Sequence, residues 1–314
     1  MKTTATVIAI AGLILATVSP VHAQGTELES LTKEVTELYR TGRYERAVVV
    51  AMKAVEVAEK NAGPNNPTVA ASLNKLALLY HDLGQYARSE PLYKRSLAIW
   101  EKALGPKHPD VAQSLNNLAE LYKSQGQYAQ AEPLLKRSLE IDEKAYGPNH
   151  PEVATDLHNL AGLYYAQDRY AQAEPLYKRS LAIWETTLGQ DHPNVALSMN
   201  NLAQLYRARG RYAQAEPLYK RSLAIWETTL GQDHANVAVS LNLLGALYHA
   251  QGQYAQAEPL YKRSLAIREK ALGANHPDVA ISLESMADLY RKTGREKAAE
   301  ALAKRAATIR AIQR

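Results

Sequence analysis

Apolar side chains along this chain fall into two alternating helical registers. Val111, Leu115, Leu118, Ala119 and Tyr122 sit at i, i+4, i+7, i+8 and i+11, one stripe at a 3.6-residue period. After a break at Gly126, a second stripe runs through Ala131, Leu134, Leu135, Ser138, Leu139 and Ile141. The residues around these stripes mark the ends of two helices. His108 stands at or just before a cap, and Pro109 suits a first helical position, where a missing N–H costs nothing. Asp110 sets a negative charge against the positive end of the helix dipole. Gly126 is placed to end the first helix with a positive φ. Pro133 is tolerated only near a helix start, so the second helix is predicted to begin close to Tyr128. Gly147 closes it.

This helix pair recurs with a fixed step of 42 residues. Gly42/Tyr44, Gly84/Tyr86, Gly126/Tyr128, Gly210/Tyr212 and Gly252/Tyr254 mark the middle of successive copies. Asp168/Tyr170 fills the same slot with Asp, and Gly294/Glu296 fills it without the tyrosine. Neither stripe can be buried within one hairpin, so each copy needs neighbours. Small residues recur where the helices should cross: Ala77, Ala119, Ala161, Ala203, Gly245 and Ala287 in one slot, and Ala47, Ser89, Ala131, Ala173, Ala215, Ala257 and Ala299 in the other. They allow axes to approach toward the short end of the usual ~8–10 Å range. Residues 169–192 are identical to residues 211–234, as after duplication of a structural module. The first copy, with Leu28, Leu31, Val35 and Leu38, and the last, residues 281–314, depart from the pattern. Terminal copies have one neighbour and act as caps; residues 297–314 are Ala-rich and charged on one side.

L-A-x-x-Y in the first helix, G-x-Y at the turn and Ala in the second helix resemble the tetratricopeptide repeat, with Leu115 where that motif often has Trp. The longer unit, with HP-x-V-A, LNNLA-x-LY, Y-A-x-AEPLYKRSLAI and a terminal LG, is similar to the kinesin-light-chain subtype over about residues 26–314. The resemblance implies an all-α fold, a right-handed α-solenoid of about seven helix hairpins with a concave groove lined by first helices. The expected organisation is one solenoid over residues 24–314, with a first unit near 26–65 and a C-terminal cap near 277–314.

The N-terminus changes the expected location. Lys2 is the only charge in the first 26 residues, residues 5–18 are an apolar run, and Val21-His22-Ala23 has the look of a cleavage site. The expectation is a signal peptide cleaved after Ala23 and an exported, periplasmic or secreted protein. An uncleaved membrane anchor is the alternative, although the run is shorter than the ~20 residues a span needs. The absence of cysteine excludes a lipid-modified leader, disulfides and thiolate metal sites. A net charge of +5, spread without basic runs, is no nucleic-acid signature.

Candidate chemistry is sparse. His108, His150, His192, His234 and His276 recur before each first helix, but copies lie roughly 10 Å apart per helix layer, too far to share a metal. The Lys94/Arg95, Lys136/Arg137, Lys178/Arg179, Lys220/Arg221 and Lys262/Arg263 pairs could form a basic ridge. Each Lys also follows a Glu four residues earlier, which favours a solvated face of local ion pairs. Trp100, Trp184 and Trp226 share a slot with Asp142 and Arg268, so that slot is expected to lie outside the deep core; packing between copies is the plainer role for these tryptophans, and an exposed contact row is the alternative. There is no phosphate loop, H-E-x-x-H or G-x-S-x-G. Neither catalysis, metal, cofactor nor small-molecule substrate is expected, and a membrane contact only if the leader stays on.

Two ladders on the first helices remain. One runs Asn74, Asn116, His158, Asn200, Asn242, Glu284. Asparagine is a poor interior helix residue, and its amide can both donate to and accept from a peptide backbone. The resemblance implies that groove asparagines hold extended peptides in this way. The second runs Tyr39, His81, Lys123, Tyr165, Arg207, His249, Arg291 and suits a ligand with acidic and apolar groups. The expected function is a scaffold that binds a protein or peptide partner, with assembly through the repeats themselves as the alternative. On this reading Asn116→Ala with Asn200→Ala weakens capture and spares helicity and melting.

Overall fold

The structure, a computed structural model, describes residues 25–312, so the leader lies outside the described residues. Among them are fourteen α-helices and no strand. Contacts divide the chain into two compact units, one ending at Ile99 and one running from Trp100 onward. The first holds α1 (Gly25–Arg40), α2 (Tyr44–Ala62), α3 (Pro67–Asp82) and most of α4 (Tyr86–Leu104). The second holds α5 (Pro109–Ser124), α6 (Tyr128–Tyr146), α7 (Pro151–Ala166), α8 (Tyr170–Thr187), α9 (Pro193–Ala208), α10 (Tyr212–Leu230), α11 (Ala235–Ala250), α12 (Tyr254–Leu272), α13 (Pro277–Lys292) and α14 (Glu296–Ile312).

Helix ends follow the local chemistry. His108, His150, His192, His234 and His276 each cap a first helix, their Nδ1 accepting the N–H two residues on at 3.1–3.3 Å. Asn66 does the same for α3 through Oδ1, 3.0 Å from the Thr68 N–H. The recurring loop histidines are therefore caps, satisfying donors that a helix start leaves open. Asp168, at φ 59°, replaces the turn glycine; its short polar side chain tolerates that region and accepts from the Tyr170 hydroxyl at 2.7 Å. Pro133 is the sixth residue of α6, deeper than the sequence suggests; it is exposed, so the helix tolerates the missing N–H at its solvent edge.

Small residues set the crossings. Ala119, Ala131, Ala161, Ala173, Ala203 and Ala215 are fully buried where the helices of a hairpin meet. A serine in each of α4, α6, α8, α10 and α12 fastens the pair: Ser96, Ser138, Ser180, Ser222 and Ser264 donate to the carbonyls of Ala70, Ala112, Ala154, Ala196 and Ala238 at 2.7–3.0 Å. Between hairpins of the second unit, each second helix packs on the next first helix. One cluster runs from Val153 through Trp184, Met199, Trp226 and Leu241 to Ile267, crossing two repeat junctions. Fully burying a side chain of this size contributes about 1.5–3 kcal/mol, and here the burial is completed by the neighbouring copy. Successive first helices also touch one another, α5 with α7, α7 with α9, α9 with α11 and α11 with α13. Second helices do not approach each other to that degree, so the first helices form the tighter, inner face of this unit.

The tryptophan slot corrects the sequence expectation. Trp184 and Trp226 are 3% and 4% exposed, and Asp142 and Arg268 in the same slot are each 5% exposed. The slot is core at a repeat junction, and its polar occupants find partners in the slots they face. Arg268 Nη1 donates to the Asp278 carbonyl and to Ser282 Oγ, both at 2.9 Å. Asp142 faces Asp156, which stands where the other copies have Ser72, Ser114, Ser198, Ser240 and Ser282. Asp156 Oδ1 receives Asn116 Nδ2 and lies 2.8 Å from Ser138 Oγ. Asp142 Oδ1 and Asp156 Oδ2 are buried with no donor, which a proton shared between the carboxyls supplies.

Burial and the Asp156 carboxylate push Asp142 up to about 8; burial also raises Asp156. An unfolded aspartate titrates near ~3.9, so folding takes up a proton between these values. The stability this pair provides is complete below the unfolded value and is lost as pH rises through the folded one. Asp142→Asn keeps a donor toward Asp156 at every pH. It should match the parent in thermal unfolding at pH 5 and exceed it at pH 9, by about 1–3 kcal/mol, the cost of a buried unsatisfied group. A gap that does not widen with pH would remove the shared proton.

Candidate functional site

The asparagine ladder belongs to the repeat junctions. Asn116 donates both amide hydrogens inward, to Ser138 Oγ at 2.9 Å and to Asp156 Oδ1 of the next repeat. Asn200, 4% exposed, donates to Ser240 Oγ of the next repeat at 2.8 Å. Asn242 is partly buried in α11 at the junction that holds Arg268, and Asn74 is partly buried in α3 of the first unit. Glu284 of α13 takes a two-pronged ion pair from Arg310 of α14 at 2.9 and 3.0 Å. The slot is asparagine whether the junction carries Trp226 with Ser240 or Asp142 with Asp156, and in both the amide donates to the residue of the next repeat. The recurrence of asparagine therefore has a structural cause, and the amides of Asn116 and Asn200 are turned away from a ligand's backbone.

His158 interrupts the ladder with an aromatic ring. It lies 5.2 Å from the Tyr177 ring, edge-on, and 5.3 Å from Trp184. Burial, with the charge of Lys123, pushes it down to about 3, so it is neutral at physiological pH. Its Nε2 is 2.8 Å from Asn201 Nδ2, which donates to it, and Gln204 Nε2 reaches Asn201 Oδ1 at 3.3 Å. His158, Asn201 and Gln204 thus form a polar floor across α7 and α9.

The second ladder is divided between the two units. In the first unit, Tyr39 donates to Asp82 Oδ2 at 2.8 Å, and the His81 ring lies 5.7 Å from that of Tyr86, tilted by 38°. In the second unit, Lys123 is paired with Glu120, and Tyr165 packs 5.6 Å from Tyr170. His249 lies 3.7 Å from Asp288 and 5.3 Å from the Tyr254 ring; burial lowers its pKa. Arg291 is exposed. Arg207 differs from these neighbours. Among the described residues no carboxylate pairs with it, and its buried Nε has no acceptor. Its charge acts on three phenols, Tyr165, Tyr219 and Tyr261.

Those phenols were not legible as site residues. Tyr177, Tyr219 and Tyr261 come from second helices and lie almost wholly buried beneath the first-helix ladder. Their signal was the Tyr of the recurrent E-P-L-Y-K-R-S, read there only as part of a repeat motif. Gly162 leaves the space above Tyr177 open: a Cβ there would sit 3.5 Å from the Tyr177 hydroxyl and 3.9 Å from Lys123 Nζ.

The opposite, second-helix face neutralises its own charges. Lys94, Lys136, Lys178, Lys220 and Lys262 pair with the Glu four residues before them at 2.7–2.8 Å. The accompanying arginines reach back one repeat: Arg179 binds Glu143 Oε1 at 2.7 Å and the Pro148 carbonyl at 2.9 Å, and Arg137 binds Glu101 and the Pro106 carbonyl likewise. The candidate basic ridge is thus a set of straps between copies. No group of three or more His, Asp or Glu among the described residues is gathered to hold a metal, and no described helix is long and apolar enough to cross a membrane.

The tetratricopeptide repeat family model matches residues 38–90, 68–144, 116–186, 157–228, 195–270 and 236–311. The chain is 31% identical to a Podosopora anserina protein described as a kinesin light chain with nearly identical TPR-like repeats, over 66% of this chain and 98% of that one, with a TM-score of 0.55. It is 25% identical to BtubC (BKLC) from P. vanneervenii, over 73% and 90%, with a TM-score of 0.59. A Rap protein complexed with Competence and Sporulation Factor shares the fold at 18% identity, over 93% and 78%, with a TM-score of 0.70. No curated protein matches.

The junction role of the amides alters the expected effect of removing them. Asn200→Ala deletes a buried bond to Ser240 and should cost about 1–2 kcal/mol, read as a lowered urea midpoint by far-UV circular dichroism. An unchanged midpoint would return Asn200 to the ligand-facing role.

Proposed function

We propose, for a chain that belongs to the tetratricopeptide repeat family with kinesin-light-chain-like repeats, that the first-helix face of residues 100–314 holds an extended segment of a partner protein. Repeats of this family build protein-interaction scaffolds, and a neighbour of the same fold is a Rap protein seen with a bound factor. The observation that carries the reading is the contrast between the two faces. On the second helices the charges are spent in pairs within and between copies. On the first helices Tyr165, Arg207 and His249 stand in one register over a floor of Tyr177, Tyr219 and Tyr261. Such a face offers aromatic surface, polar groups and positive charge to a segment carrying apolar and acidic residues.

Binding here is recognition without turnover. The groups are held by helices whose positions are set by packing, so a guest meets a preformed surface and the ordering cost falls mainly on the guest. The leader supports a protein that acts after export, on a partner outside the cytoplasm, with Gln24 as its mature N-terminus.

The test is a site-specific crosslink in the native host. A photoreactive benzoylphenylalanine replacing Tyr165 should capture a partner in the extracytoplasmic fraction, on a chain whose mass begins at Gln24. The same group replacing exposed Lys178 on the second-helix face should capture none. Capture from Lys178 alone would overturn the face assignment, and an adduct on the chain retaining residues 1–23 would overturn export.

A further inference from the structure

Five first helices start on a histidine cap, yet the five caps are not equivalent. In each, Nδ1 accepts a backbone N–H, so the ring is neutral with its proton on Nε2. A protonated ring has no acceptor left and sets a positive charge against the positive end of the helix dipole. In α5, α7 and α13 the residue two on is acidic: Asp110, Glu152 or Asp278. A carboxylate there answers an imidazolium, and Asp110 Oδ2 already lies 3.5 Å from His108 Nδ1. In α9 and α11 the first turn carries no acid, and Asn194 and Asn236 stand in that place. α11 also opens on Ala235 instead of the proline that opens α9, so its start depends more on the cap.

The surrounding elements do not supply the missing charge. Arg221 of α10 bonds the Gln190 carbonyl in the His192 loop and pairs with Glu185 of α8. Arg263 of α12 bonds the Gln232 carbonyl in the His234 loop and pairs with Glu227 of α10, while Lys270 of α12 holds Asp233. Asp191 is exposed, and among the described residues no carboxylate lies within ion-pair distance of His192 or His234. What rests on these two caps is core. Val195, Ala196, Val237 and Ala238, in the first turns, are 0% exposed within the shared cluster. The Ala196 and Ala238 carbonyls receive Ser222 and Ser264.

We infer that His192 and His234 are acid-released caps: protonating them uncaps α9 and α11, so acidification loosens the α8–α9 and α10–α11 junctions while α5, α7 and α13 keep their starts. Burial lowers the pKa of half-buried His192 and, though it is the more exposed, of His234. An unfolded histidine titrates near ~6.5, so around that value the folded chain binds fewer protons than the unfolded one. The stability these caps provide is complete above the unfolded value and is lost as pH falls through the lower folded ones. Both histidines close the identical segments 169–192 and 211–234, so the copied module makes the response a two-proton one. The joints act whether or not a guest is bound. α9 and α11 also carry Arg207 and His249, so a guest would be held less firmly in acid, a consequence that rests on the first-helix face being the docking face.

The test compares the intact chain with His192→Asn/His234→Asn. Asparagine is the cap that α3 already uses at Asn66, and it does not titrate. In circular-dichroism melts the double variant should match the parent at pH 7.5, and between pH 7.5 and pH 5.0 it should lose no more than half as many degrees. Asn194→Asp/Asn236→Asp, which supplies the acid the other copies have, should reduce the loss as well. His108→Asn, beside Asp110, should leave it unchanged. Hydrogen exchange of the parent, corrected for intrinsic rates at each pH, should show protection falling several-fold more in α9 and α11 than in α5 and α13. Parallel acid losses in the parent and both double variants would overturn the assignment. A reduction by His108→Asn as large as that by the double variant would trace the loss to histidine charge at large and overturn the role of the missing acids. An even fall of protection across the first helices would overturn the local joints.

Discussion

Burial that can be completed only by the next copy is the constraint from which the rest of this structure follows. A single hairpin presents Val153, Leu157 and Ala154 on one helix and Ile183 and Trp184 on the other, and these meet Val195, Met199 and Trp226 of the following repeat. Alanines at the crossings bring the axes close enough for that contact, and serines tie the second helices α8 and α10 to a carbonyl of their first. The consequence for function is geometric. With one side of every helix committed to a neighbour, only the inner first-helix face and the outer second-helix face remain. The outer face closes its own charges with Glu–Lys pairs and Arg straps, leaving the inner face as the chemically open one.

The near-identity of the copies makes their differences informative. Where Trp gives way to Asp142, the facing serine becomes Asp156, and the pair closes with Asn116 and a shared proton. Where Trp gives way to Arg268, the facing serine stays and accepts from the guanidinium. Both are polar intrusions into a buried junction with their compensation in the slot they face. In α13, Glu284 pairs instead with Arg310 of α14, both of them exposed.

Much of this was legible from period and pattern: the two helices per unit, their histidine caps, the turn glycines, the small-residue crossings and the degenerate ends. The tryptophan slot was misjudged because tolerance of Asp142 and Arg268 reads as exposure when only one slot is considered. The asparagine ladder misled for a related reason. A polar residue repeating on a helix signals a hydrogen bond, but the linear sequence does not say whether its partner is a guest or a serine forty residues on. Spacing within one helix was readable; pairing between helices required the packing. The buried tyrosines were hidden inside a motif that recurs for structural reasons, so their place beneath the first-helix ladder could be seen only from the packing.

If neighbour-completed burial governs the molecule, local stability must be highest where a repeat has copies on both sides and must fall toward the end. Native-state hydrogen exchange of the intact chain, resolved by residue, measures this directly. Amides of α7 to α10, which lie in the shared cluster, should be the slowest. Those of α13 and α14, whose cluster is small and has one neighbour, should exchange well before them. Slower or equal protection in α13 and α14 would contradict the account, because the last hairpin would then be stable without the neighbour on which every other copy depends.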